Sequence, residues 1–341
     1  MPIQPTIVEQ LAFRLGIAPV PVLDYLGALG LQAVCMGERL GIFELLCQGP
    51  RSETSIASEL RLDGRGVPVL LNALAAVGYV KADNGYYALS PMASKWMPKF
   101  RDGISFFSWM AFDGWHSIEA ALKGEPPAEA HSGQLSALEQ TDRLDGALSN
   151  SRLSAGEIAK RVRVPSTARR LLDIGGGHGL YAAKFCQRNP QLKATVLDFE
   201  PVLAQTRQVS QTEKVADRVE CSAGDFWHDD LGNGYDVVLL FNLLNAYPND
   251  RKVQLLRRAA EAMNRSGMLV VLDQMRVPTL RGTAKAMVEL TNLRLFDPAQ
   301  RETYLASSLP EWMESAGLRL QKTSTLRAVP WMCFAIAAKT A

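Results

Sequence analysis

The sequence has few of the residues from which disulfide and metal sites are built. Its 341 residues include four histidines and five cysteines, which stand at positions 35, 47, 186, 221 and 333. The cysteines are odd in number, scattered and without C-x-x-C spacing. We therefore expect reduced thiols, as in a cytoplasmic protein, and neither a disulfide framework nor a metal site.

Long apolar runs and a charge surplus are also absent. No uncharged apolar run reaches the length of a membrane-spanning helix, and residues 1–6 lack a basic stretch leading into an apolar segment, so we expect no signal peptide. Thirty-seven Lys and Arg residues against 35 Asp and Glu residues leave a net charge of +2. That balance gives no electrostatic reason to expect a nucleic-acid or membrane partner.

The composition is that of a globular protein. Apolar residues make up 47% of the chain and charged residues 21%, and the length is sufficient for two domains with sizeable cores.

The N-terminal hundred residues predict helices followed by a hairpin. Apolar periodicity over 22–47 indicates helices, Ser52 to Ser55 starts a short helix with Thr54 or Ser55 as its N-cap, and another helix spans 66–77. An Asn84-Gly85 turn then joins two short strands. This is the winged-helix arrangement, but residues 1–100 hold eight basic and eight acidic residues. We therefore favour a dimerisation role over DNA binding, which would call for a basic surplus.

Residues 101–165 predict further helices, aromatic-rich at their start. Phe106, Met110 and Trp115 share one helical face, and His116 follows them. At helical spacing about half of such a group packs in the core, so each residue is a candidate for either core or ligand contact.

From residue 170 onward, strands alternate with helices. We predict strands at 170–174, 194–198, 218–221, 236–241, 268–273 and 331–338. Such alternation indicates a Rossmann-like α/β domain with a parallel sheet, helices on both faces and ligands at the carboxyl ends of the strands.

The segment 171–180, Leu-Leu-Asp-Ile-Gly-Gly-Gly-His-Gly-Leu, is the strongest signal in the chain. Its glycines follow a buried strand and precede a helix, where they permit a tight turn and close approach of a ligand. Asp198 ends the next apolar run, at the position where an acidic side chain holds a ribose. Together they predict an adenosine-containing cofactor.

Two acidic positions narrow the choice of cofactor. Asp225 and Phe226 follow the third strand, where a carboxylate can accept the adenine amino group while the ring stacks on the base. Asp173, in the glycine turn, suits the amino and sulfonium side of S-adenosylmethionine, whereas a phosphate would call for a nearby Lys or Arg.

These segments resemble the small-molecule O-methyltransferase family, which pairs a winged-helix dimerisation domain with a class I S-adenosylmethionine-dependent domain. The family includes plant caffeate- and flavonoid-type enzymes, vertebrate hydroxyindole O-methyltransferase and many bacterial natural-product enzymes. The resemblance covers nearly the whole chain and lies in 40–46, 171–179, 197–198, 224–226 and 255–259.

The resemblance implies a domain organisation and a cofactor site. It implies a dimerisation domain at 1–100, a helical linker contributing to the acceptor pocket at 101–165, and the S-adenosylmethionine-binding domain at 166–341. It also implies a homodimer acting on a small molecule. The implied cofactor contacts are Asp173, Gly175, Gly177, Asp198, Phe199, Asp225, Phe226 and Phe241, the last in place of a family lysine.

The sequence departs from the family at the catalytic position. Plant-type members carry a Leu-His-Asp-Trp segment whose histidine removes the acceptor proton; the matching residues here are 244–247, with Asn245 in place of the histidine. Asparagine cannot take up a proton at neutral pH. The family's acid after the fifth strand is retained as Asp273. Methyl transfer itself stays expected, because positioning supplies much of its rate.

Three interpretations of this departure remain open. The acceptor is an oxygen that is already ionised, or it is a sulfur or nitrogen that needs no base, or another residue is the base. The candidates for that base are His178, His116 and Tyr247. The alternatives are structural roles, in which His178 only occupies a position in the glycine turn and His116 packs in the core. We expect His131 and His228 to face solvent.

The acceptor pocket is expected from segments 285–295 and 297–304. The candidate contacts, with Tyr247, are Met287, Thr291 and Arg294. Arg294 and Arg301 would clamp a substrate carboxylate, or else pair with acidic neighbours at the surface. Two further classes stay in view, namely a relative that binds the cofactor without methylating and a winged-helix DNA regulator.

Overall fold

The computed structural model describes residues 7–17, 21–108, 118–119, 122–123, 137–274, 290, 306–327, 329 and 332–340. The chain divides into two compact units, Met1–Asp113 and Gly114–Ala341. Within the described ranges, no helix is both long enough and apolar enough to cross a membrane.

The described part of the first unit consists of helices and three short strands. In chain order these are α1 (Ile7–Arg14), α2 (Pro21–Arg39), α3 (Ile42–Cys47), β1 (Arg51–Ser52), α4 (Glu53–Leu60), α5 (Gly66–Ala76), β2 (Val80–Asp83), β3 (Tyr86–Leu89) and α6 (Pro91–Ser108).

The hairpin of the first unit forms at the predicted turn. Asn84 and Gly85 have φ angles of 48° and 80°, and two successive left-handed residues give the turn type whose twist suits a two-residue hairpin. Strand β3 pairs antiparallel with β2 on one side and with β1 on the other. The three strands therefore form one small sheet in the order β1-β3-β2.

The predicted N-cap of α4 was wrong. Ser52, rather than Thr54 or Ser55, has the extended conformation of a cap, and its Oγ atom accepts a hydrogen bond from the Ser55 N–H over 3.2 Å. The helix therefore begins at Glu53. Ser52 ends the short strand β1, which the sequence analysis did not predict, and this strand sets the backbone direction into the helix.

The described part of the second unit alternates strands with helices. In chain order it contains α7 (Ala137–Arg161), β4 (Arg170–Ile174), α8 (Leu180–Arg188), β5 (Lys193–Asp198), α9 (Glu200–Thr212), β6 (Val219–Ala223), β7 (Tyr235–Phe241), α10 (Asn249–Ala262), β8 (Met263–Asp273), α11 (Leu309–Ser315), β9 (Leu318–Thr325) and β10 (Cys333–Lys339), with 3₁₀ turns at Leu244–Ala246 and Ala306–Ser308.

The strands form one seven-stranded sheet in the order β6-β5-β4-β7-β8-β10-β9. Strands β4 to β8 run parallel to one another, while β10 runs antiparallel to β8 and β9. The chain first builds outward from β4 through β5 to β6, then returns to add β7 on the other side of β4. The order thus reverses between β4 and β7, and in open α/β sheets ligands bind at such a reversal.

Side chains alternate between two cores on opposite faces of the sheet. In β7, Val237, Leu239 and Phe241 join one core, and Val238 and Leu240 join the other. The first core is closed by α7, α8 and α9, and the second by α10 and α11. This period of two, with apolar residues on both faces, is typical of a parallel strand covered by helices on both sides.

The α/β expectation is confirmed, and all six predicted strands form, each to within five residues of its predicted bounds. The expected parallel sheet was wrong for the strand at 331–338, because β10 runs antiparallel to β8. The prediction missed β9, which forms one of the two edges of the sheet. Its residues are mostly half-buried or exposed, so its sequence lacks the apolar run that marked the buried strands. It is assigned to the sheet by its pairing with β10, from Leu318 opposite Lys339 to Thr325 opposite Cys333.

Candidate active site

The carboxyl ends of β4 and β7 bring two segments together at the point where the strand order reverses. After β4 comes the glycine loop, residues 175–179, and after β7 comes the acceptor loop, residues 242–247. A side chain built at Gly175 would lie 3.1 Å from the methyl groups of Leu243 and 3.6 Å from the ring of Phe226. Three predicted site segments therefore meet here.

The glycine loop needs glycine for two separate reasons. Gly179, the residue before α8, has a φ angle of 70°, and a Cβ atom there would lie 2.5 Å from Thr206 of α9. Gly176 has no such φ angle, but its Cβ would lie 2.7 Å from the Asp173 carboxyl carbon. The left-handed backbone at Gly179 and the close packing at Gly176 therefore each require glycine.

Asp173 lies directly beneath this loop. It is 1% exposed, and neither carboxyl oxygen has a partner in hydrogen-bond geometry among the described residues. Burial, and after it the charge of Asp198, raises the pKa of Asp173 to about 8, while the nearby Ala182 backbone N–H acts to lower it. A cation bound at this point of the loop would therefore meet a carboxyl group that charged partners do not already neutralise.

Asp198, at the end of β5, joins the glycine loop to the start of α9. Its Oδ2 atom accepts a hydrogen bond from the Gly177 N–H and its Oδ1 atom one from the Phe199 N–H, both over 2.8 Å. Burial raises the pKa of Asp198, and these two backbone hydrogen bonds lower it. Phe199 is exposed and is the residue before α9.

Asp225 and Phe226 follow β6 and have different surroundings. Asp225 accepts hydrogen bonds from the His228 ring over 2.6 Å and from the Trp227 N–H over 2.8 Å. These bonds, the one from His228 first, lower the pKa of Asp225. The ring of Phe226 is buried and packs against Trp227 and Tyr247, with centroids 5.5 and 6.4 Å away.

Phe241, also predicted to contact the cofactor, lies in the core on the opposite face from Phe226. Its ring meets Tyr181 edge-on, with centroids 4.8 Å apart, and lies 6.3 Å from Phe185 of α8. Phe241 thus supports the helix after the glycine loop. A contact between Phe241 and the cofactor stays a prediction.

Asn245 and Asp273 are joined through the backbone. Asn245 lies in the 3₁₀ turn after β7, and its N–H donates to Asp273 Oδ2 over 2.9 Å. Asp273, fully buried at the end of β8, also accepts the Gln274 N–H. The carboxylate therefore fixes the path of the acceptor loop, and Tyr247 lies at the end of that loop with its ring 4.8 Å from Trp227.

His178 is poorly arranged to act as a base. It is buried, its Nδ1 atom accepts the Leu180 N–H over 3.1 Å, and its Nε2 atom lies 2.9 Å from Ser151 Oγ. Burial, and after it the charge of Arg152, lowers the pKa of His178 to about 4. Both ring nitrogens are thus engaged. The surroundings support a structural role for His178.

The remaining predicted residues lie mainly outside the described part of the chain. Phe106 belongs to α6, but its side chain is outside the description. His228, expected to face solvent, is exposed. The predicted residues that lie outside the described ranges are Met110, Trp115, His116, His131, Met287, Thr291, Arg294 and Arg301.

Sequence reasoning missed three residues close to the predicted site. Thr206 of α9 donates to the Gly177 carbonyl over 2.5 Å. The buried hydroxyl of Tyr181 is hydrogen-bonded to Ser154, and Asn242 has a φ angle of 54°. Only Tyr181 could have been noticed in the sequence, as a polar side chain on the buried face of α8. The contact of Thr206 depends on how α9 packs, and the conformation of Asn242 depends on how β8 packs.

Comparisons with known proteins identify the family. The O-methyltransferase domain family matches residues 130–306, more than half of the chain. The chain is 28% identical over 322 residues to the mitomycin biosynthesis 6-O-methyltransferase of Streptomyces lavendulae, covering 89% of this chain and 90% of the relative. This chain belongs to the O-methyltransferase family.

Two further similarities extend over most of the methyltransferase. It is 27% identical over 304 residues to an N,N-dimethyltransferase of Streptomyces rimosus, covering 84% of this chain and 86% of the relative. The solved structure of a mitomycin 7-O-methyltransferase, 25% identical, aligns with a TM-score of 0.74 over 94% of this chain and 97% of that one. The chain is an S-adenosylmethionine-dependent methyltransferase, as its motifs indicated.

Proposed function

We propose that this methyltransferase acts on an oxygen of a small molecule that is ionised before transfer. The observation that carries this proposal is Asn245, which holds the position of the family's base in a loop fixed by Asp273. An amide can orient a nucleophile by hydrogen bonding but cannot remove its proton. The 6-O-methyltransferase named above supports oxygen as the acceptor atom.

The cofactor residues proposed here belong to the glycine loop and to the ends of β5 and β6. Gly175 and Gly177 would line the cofactor, Asp198 would hold the ribose hydroxyls, and Asp225 with Phe226 would hold the adenine. When bound, S-adenosylmethionine supplies a methyl group on a sulfonium. Among the described residues, no heavy atom other than those of its chain neighbours lies within 4 Å of the Cβ position of Gly177. This space and the buried carboxyl of Asp173 support the assignment.

The main work of the protein in this mechanism is positioning. In-line displacement needs the nucleophile, the methyl carbon and the leaving sulfur aligned, and alignment in a site can contribute about 7–11 kcal/mol. General-base catalysis typically adds about 10²- to 10⁴-fold. An acceptor that is already anionic does not need that increment. An acidic phenol or a carboxylate fits this requirement.

Nitrogen or sulfur is the second candidate acceptor, on the same observation. A neutral amine or a thioether has a free lone pair, so its methylation needs no base before transfer. The similarity to an N,N-dimethyltransferase supports this candidate.

Methyl transfer from labelled S-adenosylmethionine to panels of phenols, aromatic amines and thioethers tests the proposal. We expect labelled phenol or carboxylate product, with a rate that rises with pH through the acceptor's own pKa. Asn245→Ala should lower kcat without moving that pH profile. Label found only in amines or thioethers would support the second candidate, and an unchanged kcat in Asn245→Ala would remove Asn245 from the site.

We also propose a homodimer formed through the first unit. Helix α2 exposes an apolar stripe at helical spacing, and α1 exposes further apolar side chains; these residues are Val22, Tyr25, Leu26 and Leu29, with Ile7, Val8 and Leu11. An exposed apolar stripe of this kind marks an interaction surface. A second copy fits it, because residues 1–100 carry balanced charge and no basic surplus for DNA.

Light scattering coupled to size-exclusion chromatography tests the dimer. We expect twice the chain mass of 37.4 kDa, and a shift toward monomer in Leu26→Glu. Val69→Glu changes an equally apolar, exposed residue on α5 and should leave the mass unchanged. A monomeric wild-type protein would contradict the proposal. A cytoplasmic location is proposed too, because all five cysteines are free thiols.

A further inference from the structure

A chain of polar side chains crosses the otherwise apolar contact between α7 and α8. Ser151 and Ser154, one turn apart on α7, face His178 of the glycine loop and Tyr181 of α8, and all four are buried. The His178 Nε2 atom lies 2.9 Å from Ser151 Oγ, and the Tyr181 hydroxyl lies 2.7 Å from Ser154 Oγ. The surrounding α7 and α8 residues are apolar: Ala155, Ile158, Ala159, Ala182 and Phe185.

Two backbone groups, the Leu180 N–H and the Ser151 carbonyl, fix which of these polar side chains donate and which accept. Because the Leu180 N–H donates to His178 Nδ1, the single proton of the neutral ring is on Nε2 and is donated to Ser151. At the other end, Ser154 donates to the Ser151 carbonyl over 3.2 Å, so the Tyr181 hydroxyl donates to Ser154. The side chains of Ser151 and Ser154 both lower the pKa of Tyr181, so both serines face its hydroxyl.

The same network reaches the acceptor loop. Asn242, the first residue after β7, places its side chain close enough to the Tyr181 hydroxyl to lower the pKa of Tyr181. Its backbone N–H donates to the Leu272 carbonyl over 2.7 Å. The Tyr181 hydroxyl therefore lies between α7 and the residue that leads into the Asn245 turn. Burial raises the pKa of Tyr181, so the hydroxyl keeps its proton.

A fully satisfied polar network in an apolar contact fixes geometry more narrowly than apolar packing does. If Ser151 lost its hydroxyl, the Nε2–H group of His178 would be buried without an acceptor. The loop would then have to shift, and cofactor binding would have to restore its geometry. Part of the binding free energy would be used for that restoration.

We propose that Ser151 and Ser154 of α7 position the glycine loop for the cofactor, through His178 and Tyr181. His178 and Tyr181 are positioning residues in this arrangement. The geometry of α7 and the affinity for cofactor are therefore coupled. The proposal rests on the S-adenosylmethionine site described above and is independent of the identity of the acceptor.

Calorimetric binding of S-adenosylhomocysteine to the full-length protein tests the proposal without an acceptor. Ser151→Ala should weaken binding about five- to thirtyfold. Ser149→Ala is the matched control, because Ser149 is a fully buried serine of the same helix whose Oγ has no partner among the described residues. We expect its affinity to stay within about twofold of wild type.

Two further variants separate positioning from general stabilisation. Ser151→Thr retains the hydroxyl and should restore affinity, whereas a role limited to stability predicts a lower melting temperature in Ser151→Ala with unchanged affinity. Tyr181→Phe keeps the ring against Phe241 and removes only the hydroxyl, so it should fold and bind several times more weakly.

Unchanged affinity in both Ser151→Ala and Tyr181→Phe would overturn the proposal, as would an equal loss in Ser149→Ala. Wild-type protein that binds no S-adenosylhomocysteine would instead overturn the cofactor assignment, and the positioning proposal with it. Hydrogen exchange at residues 175–180 should be faster in Ser151→Ala than in Ser149→Ala, and slowed in both by saturating S-adenosylhomocysteine.

Discussion

The backbone N–H of Asn245 donates to the Oδ2 atom of Asp273 over 2.9 Å, joining the loop after β7 to the end of β8. Asp273 also accepts the N–H of Gln274 over 2.9 Å. A single buried carboxylate thus holds the backbone of two segments, the loop after β7 and the residue after β8. Methyl transfer is proposed at these carboxyl ends of the strands. The acid matters here through the backbone it holds.

Replacing Asp273 should therefore affect both stability and transfer. Asp273→Ala leaves two N–H groups without their acceptor, and we expect a loss of about 1–3 kcal/mol in unfolding free energy. Misplacement of the Asn245 turn should lower kcat roughly tenfold or more. Asp273→Asn keeps one carbonyl oxygen and should retain more of both. Denaturant unfolding and initial rates provide the measurements, and equal effects of Ala and Asn would contradict this explanation.

Asp173 makes stability depend on pH. Its pKa is raised from the usual 3.8 to about 8, by burial first and by Asp198 second, so the folded state binds more protons than the unfolded state between these values. Its contribution to stability is complete below about pH 4 and is lost as pH rises toward 8. Asp173→Asn removes this dependence.

The stability of Asp173→Asn relative to wild type should therefore increase from pH 5 to pH 8. Thermal unfolding across that range measures the difference. Asp217→Asn, which changes an exposed carboxylate of the same unit, is the control and should show no such trend. A constant difference between Asp173→Asn and wild type would show that Asp173 is ionised throughout.

His178 acts in the opposite direction. Its pKa is lowered from 6.5 to about 4, by burial first and by Arg152 second, so the folded state binds fewer protons than the unfolded state in this window. Its contribution to stability is present above pH 6.5 and is lost as pH falls to 4. His178→Gln should lose less stability than wild type over that acid range. Parallel unfolding curves at each pH would contradict the buried, neutral ring.

Asp198 should contribute directly to cofactor affinity. Its carboxylate already accepts the N–H groups of Gly177 and Phe199, and the ribose hydroxyls are proposed to bind the same two oxygens. In Asp198→Asn one acceptor becomes a donor, so we expect roughly a tenfold to hundredfold weaker affinity for S-adenosylhomocysteine. Calorimetry measures it, with Asp217→Asn as the control. Affinity equal to wild type would place the ribose elsewhere.

Much of the second unit could be predicted because its signals are local. The apolar runs of β4, β5 and β7, and the glycines after β4, each depend on a few consecutive residues. The edge strand β9 and the Ser52 cap were missed for the opposite reason. A solvated edge strand carries no apolar run, and the choice among neighbouring serine and threonine caps depends on where β1 ends.

The site shows the same division. Asp198 and Asp225 could be predicted as candidates because they lie at the ends of strands, and their positions at the carboxyl ends of β5 and β6 follow from parallel topology. The engagement of His178 with Ser151 was not visible, because the two residues are 27 positions apart and meet only when α7 packs on α8. The separation of Phe226 and Phe241 onto opposite faces likewise required the sheet.

The sequence by itself therefore determined the family, the donor of the methyl group and the absence of a histidine at position 245. The tertiary structure decided how His178 and Asn245 are held. Burial and hydrogen bonding occupy both nitrogens of His178 and join Asn245 to Asp273. These depend on contacts between helices and strands distant in the chain, which no local pattern encodes.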